Sequence, residues 1–116
     1  MKPIPIQDFH YLCGDYQVGD NHYDIQDILE AAEGLEEFFL PLYAVNMKHA
    51  ICQNTLTSFL YHFKRVEKAD LSFPIILDSD GYICDGWHRV AKAILEGRTT
   101  IKAKRLFVMP EPYKKL

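Results

Sequence analysis

An α+β domain is what this sequence predicts, and three observations carry that reading. Three segments repeat apolar residues at helical spacing. Short apolar or alternating runs between them read as strands. The chain has 116 residues, enough for one core and too few for two. Its 48% hydrophobic and 25% charged residues are ordinary for a folded globular protein. That balance excludes a disordered chain, a collagen-like repeat and a coiled-coil rod. There is no internal repeat and no low-complexity tract, so residues 1–116 are read as a single domain.

Taken from the start, Pro3 to Phe9 alternates weakly and contains Pro3 and Pro5, which allows an edge strand at most. Gly14 to Asn21 is punctuated by Gly, Asp and Asn and reads as loop. Asp24 can cap a helix, with Ile25, Ile28, Leu29 and Ala32 at helical spacing and Gly34 as the stop. Leu35 to Val45 is apolar and aromatic and contains Pro41, which suggests a strand with a bend. Asn54 or Thr55 opens the clearest amphipathic helix, whose expected buried stripe is Leu56, Phe59, Leu60, Phe63 and Val66. Tyr61, His62, Arg65 and Lys68 occupy its opposite face, and it ends near Ala69 and Asp70.

The second half is the better patterned. Pro74 to Leu77 reads as a strand, and Asp78-Ser79-Asp80-Gly81 as a turn in which Asp side chains accept backbone bonds and Gly takes a positive φ. Tyr82 to Cys84 is the return strand of a hairpin. A helix from about Trp87 to Glu96 follows, with Trp87, Val90, Ala91, Ile94 and Leu95 as its apolar face and Gly97 as its stop. Ile101 to Val108 alternates as a final strand, and Pro110 and Pro112 close the domain.

The longest uncharged apolar runs, Phe38 to Met47 and Phe73 to Leu77, fall short of the roughly 18 to 20 residues that span a bilayer. Met1-Lys2-Pro3 leads to Asp8 with no apolar signal region, so a soluble, cytoplasmic protein is expected. Cys13, Cys52 and Cys84 make an odd count without CxxC spacing, which fits a reducing compartment. His49 and Cys52 form one HxxC pair with no second pair beside it, so no metal ligand is assigned. Charge is unevenly spread. Residues 1–85 hold 5 Lys/Arg and 14 Asp/Glu, whereas residues 86–116 hold 8 Lys/Arg and 2 Asp/Glu. The basic C-terminal quarter either presents a face suited to phosphates or pairs with the acidic front of the chain.

The segment that carries chemistry is Asp85-Gly86-Trp87-His88-Arg89, between a strand and a helix. A helix N-terminus offers unpaired N–H donors and about half a positive charge, which suits a phosphate. Gly86 lets a ligand approach the backbone, Asp85 is the expected N-cap, and His88 and Arg89 stand in the first turn with Lys92 on the same face. Cations there oppose the helix dipole, a conflict that a bound anion would relieve. Gly86, His88, Arg89 and Lys92 are therefore the candidate binding residues. Asp85 and His88 are the candidate acid–base residues.

The run from Pro74 to Gly97, with Ile101-Lys102-Ala103 after it, resembles the core of the ParB/sulfiredoxin superfamily: strand, Asp-Gly turn, strand, DGxHR-type segment, helix, Gly, strand. The likeness is close over about residues 70–107 and extends loosely to the helix at 25–33. It implies a compact domain with a small mixed sheet and helices packed around it. It also implies that Gly86, His88 and Arg89 contact the phosphates of a nucleotide, ATP or CTP, with Mg2+. Trp87 stands where sulfiredoxins carry their catalytic cysteine, and Trp87-His88 where partition proteins carry Glu-Arg. The resemblance thus speaks for fold and site more than for either activity.

Other candidates are weaker. Asp78 and Asp80 could bind Mg2+ as a DxD pair, although the hairpin turn already explains them. His62 and Arg65 could support the phosphate site from the long helix, or form a solvated face. Tyr82 and Trp87 could stack a base, although aromatics flanking a helix start are more often core. Three functions are expected in this order: a nucleotide-binding module with a possible protein partner; a metal-dependent phosphotransferase or ParB-like nuclease; and a DNA-associating accessory protein acting through Arg98, Lys102, Lys104 and Arg105.

Overall fold

The computed structural model describes residues 2–5, 15–47 and 55–115. Cys13, His49, Cys52 and Asn54 lie outside the described residues, as does the second half of the possible edge strand at Pro3 to Phe9. Residues 2–5 form no strand.

The fold is α+β, with three helices and two sheets among the described residues. Strand β1 (Asp15–Val18) turns through Gly19 into β2 (Asn21–Asp24), an antiparallel hairpin. This corrects the reading of Gly14 to Asn21 as loop. Gly19, at φ 58°, and Asp20 make the two-residue turn, and the polar, half-solvated strands hide from a hydrophobicity pattern. Asp24 caps α1 (Ile25–Ala32) as expected, its carboxylate accepting from the Gln26 N–H at 2.8 Å. The expected bent strand is short: β3 (Phe38–Pro41) gives way after Pro41 to one turn of 3-10 helix at Leu42–Ala44.

Thr55 caps α2 (Leu56–Lys68) by accepting from the Ser58 N–H. Then β4 (Ile75–Leu77), β5 (Ile83–Asp85), α3 (Trp87–Leu95) and β6 (Thr100–Arg105) follow in the expected order. The chain continues past Pro110 and Pro112 to β7 (Lys114–Lys115), which pairs with β2 and completes the first sheet. The second sheet runs β3-β6-β4-β5 and is mixed, β4 lying parallel to β6 and the other pairs antiparallel.

Strand β4 is buried on both faces, and its alternation divides the core. Ile75 and Leu77 face a cluster with Ile83, Val90, Ala93, Ile101 and Ala103, where α3 covers the sheet. Ile76 faces the other way, with Cys84 and Leu106, against Tyr23 of the hairpin and Ile28 and Ala32 of α1.

Two helix faces differ from expectation. In α2 the inward residues are Ser58, His62 and Val66, while Leu56, Phe59, Leu60 and Phe63 are exposed. The helix packs on α3, and its polar, aromatic side makes the contacts there. In α3 the buried line is Val90 and Ala93, with Trp87 partly covered, whereas Ile94 and Leu95 face outward. Gly97 ends α3 as expected, with the Arg98 N–H donating to the Ala93 carbonyl.

A cationic cleft between the second and third helices

Strand β5 delivers the chain to α3 through Gly86, which is the N-cap itself. Asp85 was expected in that role, but it ends the strand, and among the described residues no side chain caps the helix. Gly86 sits at φ 104°, a conformation side chains rarely adopt. A Cβ there would lie 2.7 Å from Ile75 Cγ2 and 2.9 Å from Arg89 Nη1. The glycine thus brings the helix start hard against β4, and its carbonyl accepts from the Arg89 and Val90 N–H groups.

Arg89 turns back over that junction. Its Nη1 donates to the Pro74 carbonyl at 3.2 Å and lies 3.6 Å from Asp85 Oδ2. Both contacts use Nη1, so among the described residues the rest of the guanidinium remains for a ligand. His88 meets His62 of α2, with Nε2 and Nδ1 3.0 Å apart. Trp87 stacks on the His88 ring at 3.8 Å between centroids. Burial, then the positive charges of Arg65, His62 and Arg89, push the His88 pKa down to about 3. Burial and Arg65 lower His62 as well. Both rings are neutral near pH 7, one donating and the other accepting, so His88 brings no cation into the first turn.

Asp85, Gly86, His88 and Arg89 border a cleft of about 420 Å³. Helix α2 supplies Tyr61, Lys64, Arg65 and Lys68 to one wall, and Gly86, His88 and Arg89 form the α3 side. Asp70, Phe73 and Asp85 complete it. Four permanent cations therefore face two carboxylates. Arg65 also lies over the Tyr61 ring, 5.8 Å from its centroid. Asp70 accepts from the Ser72 N–H and hydroxyl, and these bonds hold its carboxyl below the usual range.

Of the predicted binding residues, Gly86, His88 and Arg89 come together with Asp85, and Lys92 does not join them. Its ammonium donates to the Glu67 and Ala69 carbonyls at 2.9 and 2.7 Å, closing the C-terminus of α2. Three other C-terminal cations are also engaged. Lys104 donates to the Ala32 carbonyl at the end of α1, Arg105 to the Ser79 carbonyl, and Arg98 pairs with Glu96. The basic quarter thus meets the acidic front largely through backbone carbonyls.

Asp78 is consumed by its turn: Oδ1 accepts from the Asp80 and Tyr82 N–H groups and Oδ2 from the Tyr16 hydroxyl. No group of three or more metal-binding side chains occurs among the described residues. Cys84 is buried, donates to the Ile76 carbonyl, and has its pKa pushed up to about 12, chiefly by burial. It is unsuited to thiolate chemistry. Lys64, Lys68, Asp70 and Phe73 were not singled out from the sequence. The spacing Tyr61, Lys64/Arg65, Lys68 marks one polar helix face and was the available signal.

No protein-family model, curated protein or solved structure matches the chain. Among the described residues, no helix is long and apolar enough to cross a membrane.

Proposed function

We propose that this protein is a nucleotide-binding module of the ParB/sulfiredoxin-like kind, with nucleotide phosphates held at the start of α3. The supporting observation is the convergence of Lys64, Arg65, Lys68 and Arg89 on one cleft at that helix N-terminus. Phosphate oxygens are met there by guanidinium and ammonium donors and by the positive end of the dipole. Asp70 and Asp85 suit Mg2+ arriving with the nucleotide, since that ion is held by one or two carboxylates plus substrate phosphates.

A thermal-shift panel of ATP, ADP, CTP, GTP and pyrophosphate, with and without Mg2+, tests the reading. A ligand at about 100 times its Kd adds about 2.7 kcal/mol, roughly 4 °C or more in Tm. The expected result is a shift that disappears in Arg89→Ala. No shift with any of these ligands refutes it.

A metal-dependent phosphotransferase or nuclease is the second reading. It is favoured by a neutral imidazole, His88, bordering the cleft beside Asp85. A pKa near 3 makes that imidazole a weak base at neutral pH, which ranks binding ahead of turnover. Metal-dependent turnover lost in Asp85→Asn or His88→Gln would reverse the ranking. The DNA-associating reading comes third, because Arg98, Lys104 and Arg105 already bond within the chain. It predicts a gel shift that weakens steeply with salt.

A further inference from the structure

We propose that Phe73 is the stacking platform for the base of the bound nucleotide, so that the cleft takes nucleoside polyphosphates in preference to bare polyphosphate. This rests on the nucleotide reading above.

Phe73 is 58% exposed, yet it belongs to a tied segment rather than a free loop. On its N-terminal side, Asp70 Oδ1 accepts from the Ser72 N–H and hydroxyl, and the Phe73 N–H donates to the Asp70 carbonyl at 3.3 Å. On its C-terminal side, the Pro74 carbonyl is held by Arg89 Nη1. The residue that would grip phosphate and the ring that would meet a base are thus coupled through one carbonyl. An exposed aromatic ring lining a cationic cleft is the combination that single-strand nucleic-acid binders use, the cations taking phosphates and the ring taking the π-face of any base.

The other aromatics nearby are occupied or distant. Tyr61 has Arg65 over its ring, and Trp87 is stacked on His88. Tyr82 follows the 78–81 turn and does not border the cleft. Among the described residues, no ring or cation stacks on Phe73. Neither Tyr82 nor Trp87, the two aromatics weighed from the sequence as base partners or core, is open to the cleft, whereas Phe73, outside the DGxHR segment, lines it.

Titration calorimetry with ATP, CTP and tripolyphosphate, each with Mg2+, tests the assignment on the wild type, Phe73→Ala and Phe73→Trp. Tripolyphosphate carries at least as much negative charge as the nucleotides, so charge alone gives them no advantage. The expected result is that ATP and CTP bind the wild type at least about fivefold more tightly than tripolyphosphate. Phe73→Ala should lose that preference with tripolyphosphate affinity unchanged, and Phe73→Trp should keep it. Equal binding of all three by the wild type, or unchanged nucleotide affinity in Phe73→Ala, overturns the stacking role and leaves the phosphate site standing. No binding of any of the three overturns both. Retention of the wild-type Tm in Phe73→Ala separates loss of stacking from loss of fold.

Discussion

His62 Nδ1 and His88 Nε2 lie 3.0 Å apart and join α2 to α3 at the wall of the cationic cleft. The pair is neutral in the fold: Tyr61 and Trp87 pack against it, and Arg65 and Arg89 are the charges that act on it. The unfolded chain takes up a proton near pH 6.5, the folded His88 only near pH 3. Between those values the unfolded state binds more protons, so this histidine lowers stability as the pH falls. The loss is at most about 1.4 kcal/mol per pH unit for each such proton. Urea unfolding from pH 7 to 4 should show a shallower decline in His88→Gln than in the wild type. Identical slopes would show that the imidazole is not held neutral.

Gly86 carries two separate constraints, its φ of 104° and the 2.7 Å approach that a Cβ would make to Ile75. Backbone strain alone costs about 1–3 kcal/mol, and the contact adds to it. Gly86→Ala should therefore lose at least about 2 kcal/mol in denaturant unfolding. A loss under 0.5 kcal/mol, roughly what an unconstrained surface site gives, would contradict the described helix start.

Lys92 separates structural from binding cations. Lys92→Met removes the two bonds that close α2 and should cost about 1 kcal/mol, discounted for partial exposure. Its nucleotide affinity should match the wild type, whereas Arg89→Ala should lose binding. A comparable loss of binding in Lys92→Met would return it to the site.

The two sheets are tied by the Tyr16 hydroxyl, which donates to the buried Asp78 carboxylate at 2.6 Å. Burial and the adjacent Asp78 charge raise the Tyr16 pKa far above its usual value, so it stays a donor throughout the physiological range. Tyr16→Phe leaves Asp78 with backbone donors only and should cost about 1–2 kcal/mol in urea unfolding. An unchanged midpoint would mean that the 78–81 turn satisfies Asp78 without help from the hairpin.

Features set within a few residues could be read directly along the chain. Asp24 and Thr55 cap their helices because the bond each makes spans two or three residues. Gly97 and the Asp78–Gly81 turn follow the same local chemistry. The strand–glycine–helix junction at residues 85–89 was likewise visible, and with it Gly86, His88 and Arg89 as neighbours. Two local features differ from that reading, the Gly19-Asp20 hairpin and the N-cap at Gly86, and the rest of what eluded it depends on distant partners. Apolar spacing identifies α2 as amphipathic, but His62 turns inward because α3 offers His88 and Trp87 to meet it, leaving Phe59 and Phe63 outside. Lys92 leaves the cleft because the carbonyls ending α2 lie within its reach. Lys64, Lys68 and Phe73 join Arg89 only when α2 and the turn after it pack beside α3. A cap is a contact between near neighbours, while a cleft is a meeting of segments whose packing energy is shared across the whole core.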